Sequence, residues 1–221
     1  MSKPYTENLL SEQFAEDLIW RRRELSDLKQ AIRSSQANAR SGLLRALITL
    51  TYAHWEGFIR HCSRAYFLFI CLRKSRFEEL ETQIYINAFL TRLDGLFQNR
   101  ASIEQRCNLV LAILGSQEKR FSKMNDNLID TKSNLNSDVL KDICIICGID
   151  FAPFEDKRFF IDQIILKRRN AIAHGNVEFI GLEEMDGLVA EALSLMGIFK
   201  DQLENKVYSK KYLSPVELGR R

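Results

Sequence analysis

Between Ala39 and Leu72 the chain runs without a proline, and Leu43, Leu44, Leu47, Ile48, Leu50, Trp55, Phe58 and Ile59 recur along it at helical spacing. These residues cover so much of the circumference that the helix must be enclosed by others, at the centre of a bundle. Only three prolines and ten glycines punctuate the 221 residues. Few stretches alternate with period two, so the expected fold class is all-α. At this length the chain fits one domain, residues 1–221, with a sizeable core.

Other helices are read on both sides of the central one. The N-terminal helix, within residues 1–37, starts after Pro4 with Thr6 as N-cap and runs through Gln36. Its stripe is Leu10, Phe14, Leu18, Leu25, Leu28 and Ile32, which leaves Arg21, Arg22 and Arg23 on a solvated face. A third helix spans Phe77 to Phe97, with Leu80, Ile84, Ala88 and Phe89 as its apolar side. A fourth spans Asn99 to Leu114, with Ile103, Val110, Ile113 and Leu114 inward and Gly115 as its stop. The polar interval Ser116 to Ser137 is long enough to be either mobile or a flap over a site. Ser137 is placed to cap a short helix, Asp138 to Cys147, and Phe151-Ala152-Pro153-Phe154 breaks the chain after it. The last helix runs from about Leu182 to Lys206 on a stripe that includes Met185, Leu188, Val189, Leu195, Phe199 and Leu203. Residues 207–221, with Lys210, Lys211, Arg220 and Arg221, read as a loosely held tail.

Several function classes lose support at this level. Thirty-two basic against twenty-nine acidic residues give a net charge of +3, compatible with a local basic face but no argument for nucleic acid. Residues Met1 to Trp20 carry Glu7, Glu12, Glu16 and Asp17 and no secretory apolar core. The longest apolar run, Ala65 to Leu72, is far short of the ~20 residues that span a bilayer, so a soluble, cytoplasmic protein without membrane contact is expected. Five cysteines, mostly inside apolar helical patterns, fit reduced core thiols. Cys144-Ile145-Ile146-Cys147 has CxxC spacing, but no second pair or nearby histidine completes a zinc site, so packing is its reading. There is no P-loop, no G-x-G-x-x-G and no H-E-x-x-H, and no metal or cofactor is called for.

The chemistry-bearing stretch is Arg168-Arg169-Asn170-Ala171-Ile172-Ala173-His174-Gly175. It follows Phe159 to Leu166, whose apolar residues recur at helical spacing, so polar groups arrive where a core-facing helix ends. Asn170 and His174 share a face, whereas Arg169 and His174 lie about 140° apart round an ideal helix. Either the helix bends there or the two groups meet partners from elsewhere. An ordinary helix stop accounts for the same residues, with basic groups in the last turn and glycine just past it.

The string Arg169 to Gly175 also resembles the signature of HEPN domains, in which an arginine, usually followed by a polar residue, precedes a histidine by four to six positions. More diffusely, Ser133-Asn134-Leu135-Asn136-Ser137, the helix ending in Cys147-Gly148-Ile149-Asp150, and Tyr52 to Phe58 resemble a bacterial subgroup of HEPN-like nucleases. The resemblance implies an HEPN-like helical bundle from about residue 40 to 205 with additional helices, dimerising so that two motifs line a shared groove. It implies a metal-independent RNase in a toxin–antitoxin or phage-defence system, with an antitoxin or a small nucleotidyltransferase as possible partner. Arg169, Asn170 and His174 carry over as active-site positions.

Elementary chemistry agrees with that assignment. Cleaving RNA without a metal takes a base for the 2′-hydroxyl, an acid for the leaving 5′-oxygen and positive charge on the phosphate. Histidine suits the proton transfers and arginine the phosphate. One motif holds half of the acid–base pair, and an isologous homodimer would supply the other half. Glu56, set among large apolar neighbours, is a candidate to orient the arginine or histidine, and Arg168 is a second supporting candidate. The competing readings are a non-catalytic module that binds nucleotide, RNA or a partner protein, and a purely structural bundle.

Overall fold

The computed structural model describes residues 3–98 and 100–215, Asp126 by its backbone alone. Helix α1 (Glu7–Ser34) opens on Thr6, whose hydroxyl accepts the Leu9 N–H at 3.2 Å. Helix α2 (Ala37–Arg73) carries the fully buried Trp55, Phe58, Tyr66 and Phe69 and packs against α1 and against the last helix, α8 (Glu184–Tyr208). The three share one core through Phe14 of α1 and Phe199 of α8. The expected central role of this helix holds, because most of its circumference is buried in the core, with one exposed stripe along Ala46, Thr49, Ala53, Arg64 and Leu68.

Helices α3 (Thr82–Gln98), α4 (Ile103–Leu114) and α5 (Ser137–Cys147) form an outer group in which α3 touches both others. After a single turn, α6 (Ala152–Glu155), comes a π-helical segment, Phe160–Lys167, that continues into α7 (Arg168–Ala173). Both lie against α2. Among the described residues there is no strand, only the isolated bridges Arg76 to Arg120 and Leu80 to Leu213, so the fold is all-α.

Several expectations need correction. Leu80 belongs to no helix, since it closes a short 3-10 turn, Phe77–Glu79, two residues before α3 begins. In α4 it is Leu109 that is buried, while Ile103, Val110 and Leu114 are exposed, because the helix packs chiefly on α3. The expected start of that helix at Asn99 lies outside the described residues, and Ser102 caps it. Asn136 rather than Ser137 caps α5, its side chain accepting the Val139 N–H at 2.8 Å. Pro153 sits in the first turn of α6, where its missing N–H costs nothing, so the segment expected to break the chain makes a turn of helix. The tail is held as far as Ser214: Tyr212 and Leu213 are buried, and Glu81 N–H and Ser214 N–H donate to the Tyr212 and Glu79 carbonyls. Arg220 and Arg221 lie outside the described residues. The CxxC cysteines are fully buried in the core, and burial pushes both thiols up, Cys147 to about 12.

Of the three arginines expected on the surface of α1, Arg21 is buried. Its Nε donates to Asp17 Oδ2 at 2.7 Å, and its Nη1 donates to the His54 carbonyl at 3.2 Å and lies 3.3 Å from His54 Nδ1. Gly57 makes the room, since a Cβ there would come within 2.9 Å of that Nη1. An arginine N–H can only donate, so Nδ1 must offer a lone pair and the imidazole is neutral. Burial first, then the Arg21 charge, pulls the His54 pKa down from 6.5 against the opposing pull of Glu24. Glu24 Oε2 stands 2.8 Å from Nε2 at ion-pair distance without an aligned hydrogen bond. His61 is lowered too, chiefly by burial.

Unfolded histidines take up protons near the ordinary value of 6.5 while these two take them up only at lower pH, so protonation favours the unfolded chain. Stability is therefore full above that pH and declines as the pH falls through it. Melting temperatures measured from pH 8 to pH 5 should fall on the acid side, and a His54→Gln variant should show a shallower decline. Equal slopes for the two proteins would mean that His54 contributes nothing to the acid sensitivity.

Candidate functional site

The segment ahead of the motif buries Ile161, Ile165 and Leu166 against the core. Its π-helical turns, wider than α-helical ones, set the register in which α7 begins, but they end at Lys167, and α7 itself does not bend between Arg169 and His174, so the offset is met by separate partners. Arg169 leaves α7 toward α2. Its Cζ lies 4.0 Å above the centre of the Tyr52 ring, a cation–π contact, and its Nη2 donates to the Ser133 carbonyl at 2.8 Å. Glu56 Oε2 is 3.9 Å from the same nitrogen. At the next position, Asn170 Nδ2 donates to Asn134 Oδ1 at 3.1 Å.

Glu56 stands at the centre of a small network. Its Oε1 accepts from Arg60 Nη2 and from the Thr131 hydroxyl, each at 2.5 Å, and its carboxylate is mostly buried. Thr131 belongs to the interval 116–137, and this part of it is no loose flap. The Leu135 N–H donates to the Tyr52 hydroxyl at 2.6 Å, Leu135 and Thr131 are buried, and the Asn134 N–H closes on the Thr131 carbonyl. Burial lifts the Tyr52 hydroxyl to about 12, so it stays protonated. Lys132 and Ser133 are both left-handed, at φ 52° and 55°. Two consecutive non-glycine residues in that region are a local strain, and they direct the Ser133 carbonyl at Arg169.

His174 closes α7. The Gly175 N–H donates to the Ile172 carbonyl and the Asn176 N–H to the Ala171 carbonyl, around Gly175 at φ 79°, which is a Schellman stop. The imidazole is exposed at the rim. Arg168 is directed elsewhere: its Nη1 donates to Glu184 Oε2 and its Nη2 to the Phe179 carbonyl, both at 2.9 Å, with Glu178 near Nε. It ties the link after the motif to the start of α8 and takes no part in the Arg169 group.

The structure thus brings Arg169, Asn170 and Glu56 together, places His174 at the exposed end of the same helix and sends Arg168 away. The helix-stop reading describes Gly175 correctly but not Arg169, which turns inward to named partners. Sequence reasoning does not single out Tyr52, Thr131, Ser133 or Asn134 individually, although the stretches Tyr52 to Phe58 and Ser133 to Ser137 carry the diffuse resemblance. Those two stretches are the ones that meet the motif.

The geometry also gives a stability prediction. Tyr52→Phe keeps the ring beneath Arg169 and leaves the Leu135 N–H without its acceptor, at a cost of about 1–3 kcal/mol. Urea denaturation should show that loss, and a change below about 0.5 kcal/mol would mean that the 131–135 segment is held by other contacts.

Among the described residues no helix is long and apolar enough to cross a membrane. No curated protein and no solved structure matches the chain. A family model described as RiboL-PSP-HEPN matches residues 16–205, from within the first half of α1 almost to the end of α8.

Proposed function

The chain belongs to the RiboL-PSP-HEPN family, and from that premise we propose that it is a metal-independent endoribonuclease acting as an isologous homodimer. The observation that carries this reading is the state of Arg169. Its guanidinium is oriented by Tyr52, Ser133 and Glu56 and stays partly exposed, so a phosphate oxygen has a fixed cation to meet. Asn170 positions the strand or the histidine. His174, exposed on the same helix, exchanges protons with the 2′-hydroxyl and the leaving 5′-oxygen, one copy from each subunit. Val177 and Phe179, both more than two-thirds exposed just beyond the motif, support a protein contact at this rim. A nuclease built this way endangers its own cell, which fits a toxin–antitoxin or phage-defence role with an antitoxin partner.

Arg169→Lys tests the phosphate role because it keeps the charge and removes the planar fork. With single-stranded RNA in excess EDTA, the wild type should cleave, and the variant should be slower by about 100-fold. Cleavage at the wild-type rate by the variant would remove Arg169 from the chemistry. A second reading, a module that only binds nucleotide or RNA, draws on the same fixed guanidinium. It would be preferred if calorimetry showed tight nucleotide binding by a protein that leaves every RNA intact.

A further inference from the structure

Beyond the motif, α2 presents Glu56, Arg60 and Arg64 in one row at four-residue spacing, each step about 6 Å along the axis. The segment 121–135 runs beside this row in the opposite direction. It is pinned at one end by the Phe121 N–H on the Ser75 carbonyl and at the other by the Leu135 N–H on Tyr52. Between helix and segment a concavity of about 210 Å³ opens, with Phe67, Leu68, Met124 and Ile129 as apolar walls and Arg64 and Lys123 at its mouth. Arg64 and Lys123 are exposed, and neither makes an ion pair or hydrogen bond among the described residues. Most other basic side chains near the motif are engaged: Arg60 with Glu56, Arg168 with Glu184, Arg169 with Ser133. The two free cations therefore stand at an apolar pocket that continues the row leading away from Arg169.

We propose that this concavity is a nucleotide subsite for the strand flanking the cleaved phosphate, with one base between the apolar walls and its phosphate on Arg64 and Lys123. The chemistry favours single-stranded RNA. An apolar slot accepts the flat face of any base, and paired cations at its mouth take the backbone. The row on α2 advances by a step close to that of an extended strand's phosphates, so a strand held at Arg169 reaches Arg64 about two turns of helix away. Arg60, already neutralised by Glu56, lets the strand pass without holding it. Base identity is read weakly here, because the polar groups at the edge, Ser122 and Asn125, lie on an exposed segment.

This inference rests on the nuclease reading for its direction, but its test does not require cleavage. The affinity of a labelled single-stranded octaribonucleotide is measured on the His174→Ala protein across a range of salt, with and without Arg64→Ala and Lys123→Ala. One phosphate no longer neutralised should make the slope of log affinity against log salt shallower by about 0.7. Restoring charge with Arg64→Lys and Lys123→Arg should return the slope, which separates lost contacts from lost fold. An unchanged slope in the alanine pair overturns the subsite, as does tighter binding of an acidic phosphopeptide than of the octamer. Should the slope change while the wild type proves unable to cut RNA, the subsite stands and the nuclease reading falls. An active wild type with an unchanged slope means the reverse: the nuclease reading stands and the subsite falls.

Discussion

His174→Ala is expected to abolish RNA cleavage, by about 10⁴-fold or more, while leaving the melting temperature near that of the wild type. The size follows from symmetry. In a homodimer the substitution removes both copies at once, and with them both the base and the acid, each of which typically contributes 10²–10⁴-fold. The intact fold follows from position: the imidazole is exposed at the end of α7, and the helix stop is made by backbone groups around Gly175. Rates measured under single-turnover conditions, with the melting curve of the same preparation, check both halves. Cleavage within tenfold of the wild type would take His174 out of the reaction.

The second large effect lies away from the site. Asp17→Ala leaves the Arg21 guanidinium buried between α1 and α2 beside a neutral histidine, with its Nε bond lost. Removing one partner of a buried pair costs about 3–5 kcal/mol, a large part of the stability of a domain of this size. Replacing both charges together, Asp17→Leu with Arg21→Met, should return most of that loss, because an apolar pair of similar volume has no charge to desolvate. Urea denaturation of the two variants separates the cases. If the double variant is as unstable as the single one, packing around Gly57 rather than charge holds α1 on α2.

These two predictions mark where the chain can be read and where it cannot. The apolar faces of α1, α2 and α8 follow a helical repeat, and a repeat is local information. Arg21 escapes that reading because its burial depends on Asp17 four residues earlier and on a glycine in another helix. The Asp17–Arg21 spacing is visible in the sequence, but its opposite wall is not. Helix α4 fails for a related reason: a stripe shows which side is apolar, not whether anything covers it. For the site, the motif itself is legible, and the angular mismatch between Arg169 and His174 is met by different surroundings, Arg169 turning inward to Tyr52 and Ser133 and His174 facing outward. A π-helical stretch has no sequence signature of its own, so its length cannot be foreseen. Glu56 is reachable, since a carboxylate amid large apolar neighbours demands a partner. Thr131 and Ser133 are not, because they meet Arg169 and Glu56 only through the path of a polar segment whose anchors, Phe121 and Leu135, are single buried residues.

The most direct test of the central claim is the chemistry of the ends left on RNA cut by the wild-type protein in excess EDTA. Attack by the 2′-hydroxyl, with His174 and Arg169 serving it, predicts 2′,3′-cyclic phosphate on one fragment and a 5′-hydroxyl on the other. Fragments bearing 3′-hydroxyl and 5′-phosphate ends, or cutting that appears only when a divalent cation is restored, would contradict it.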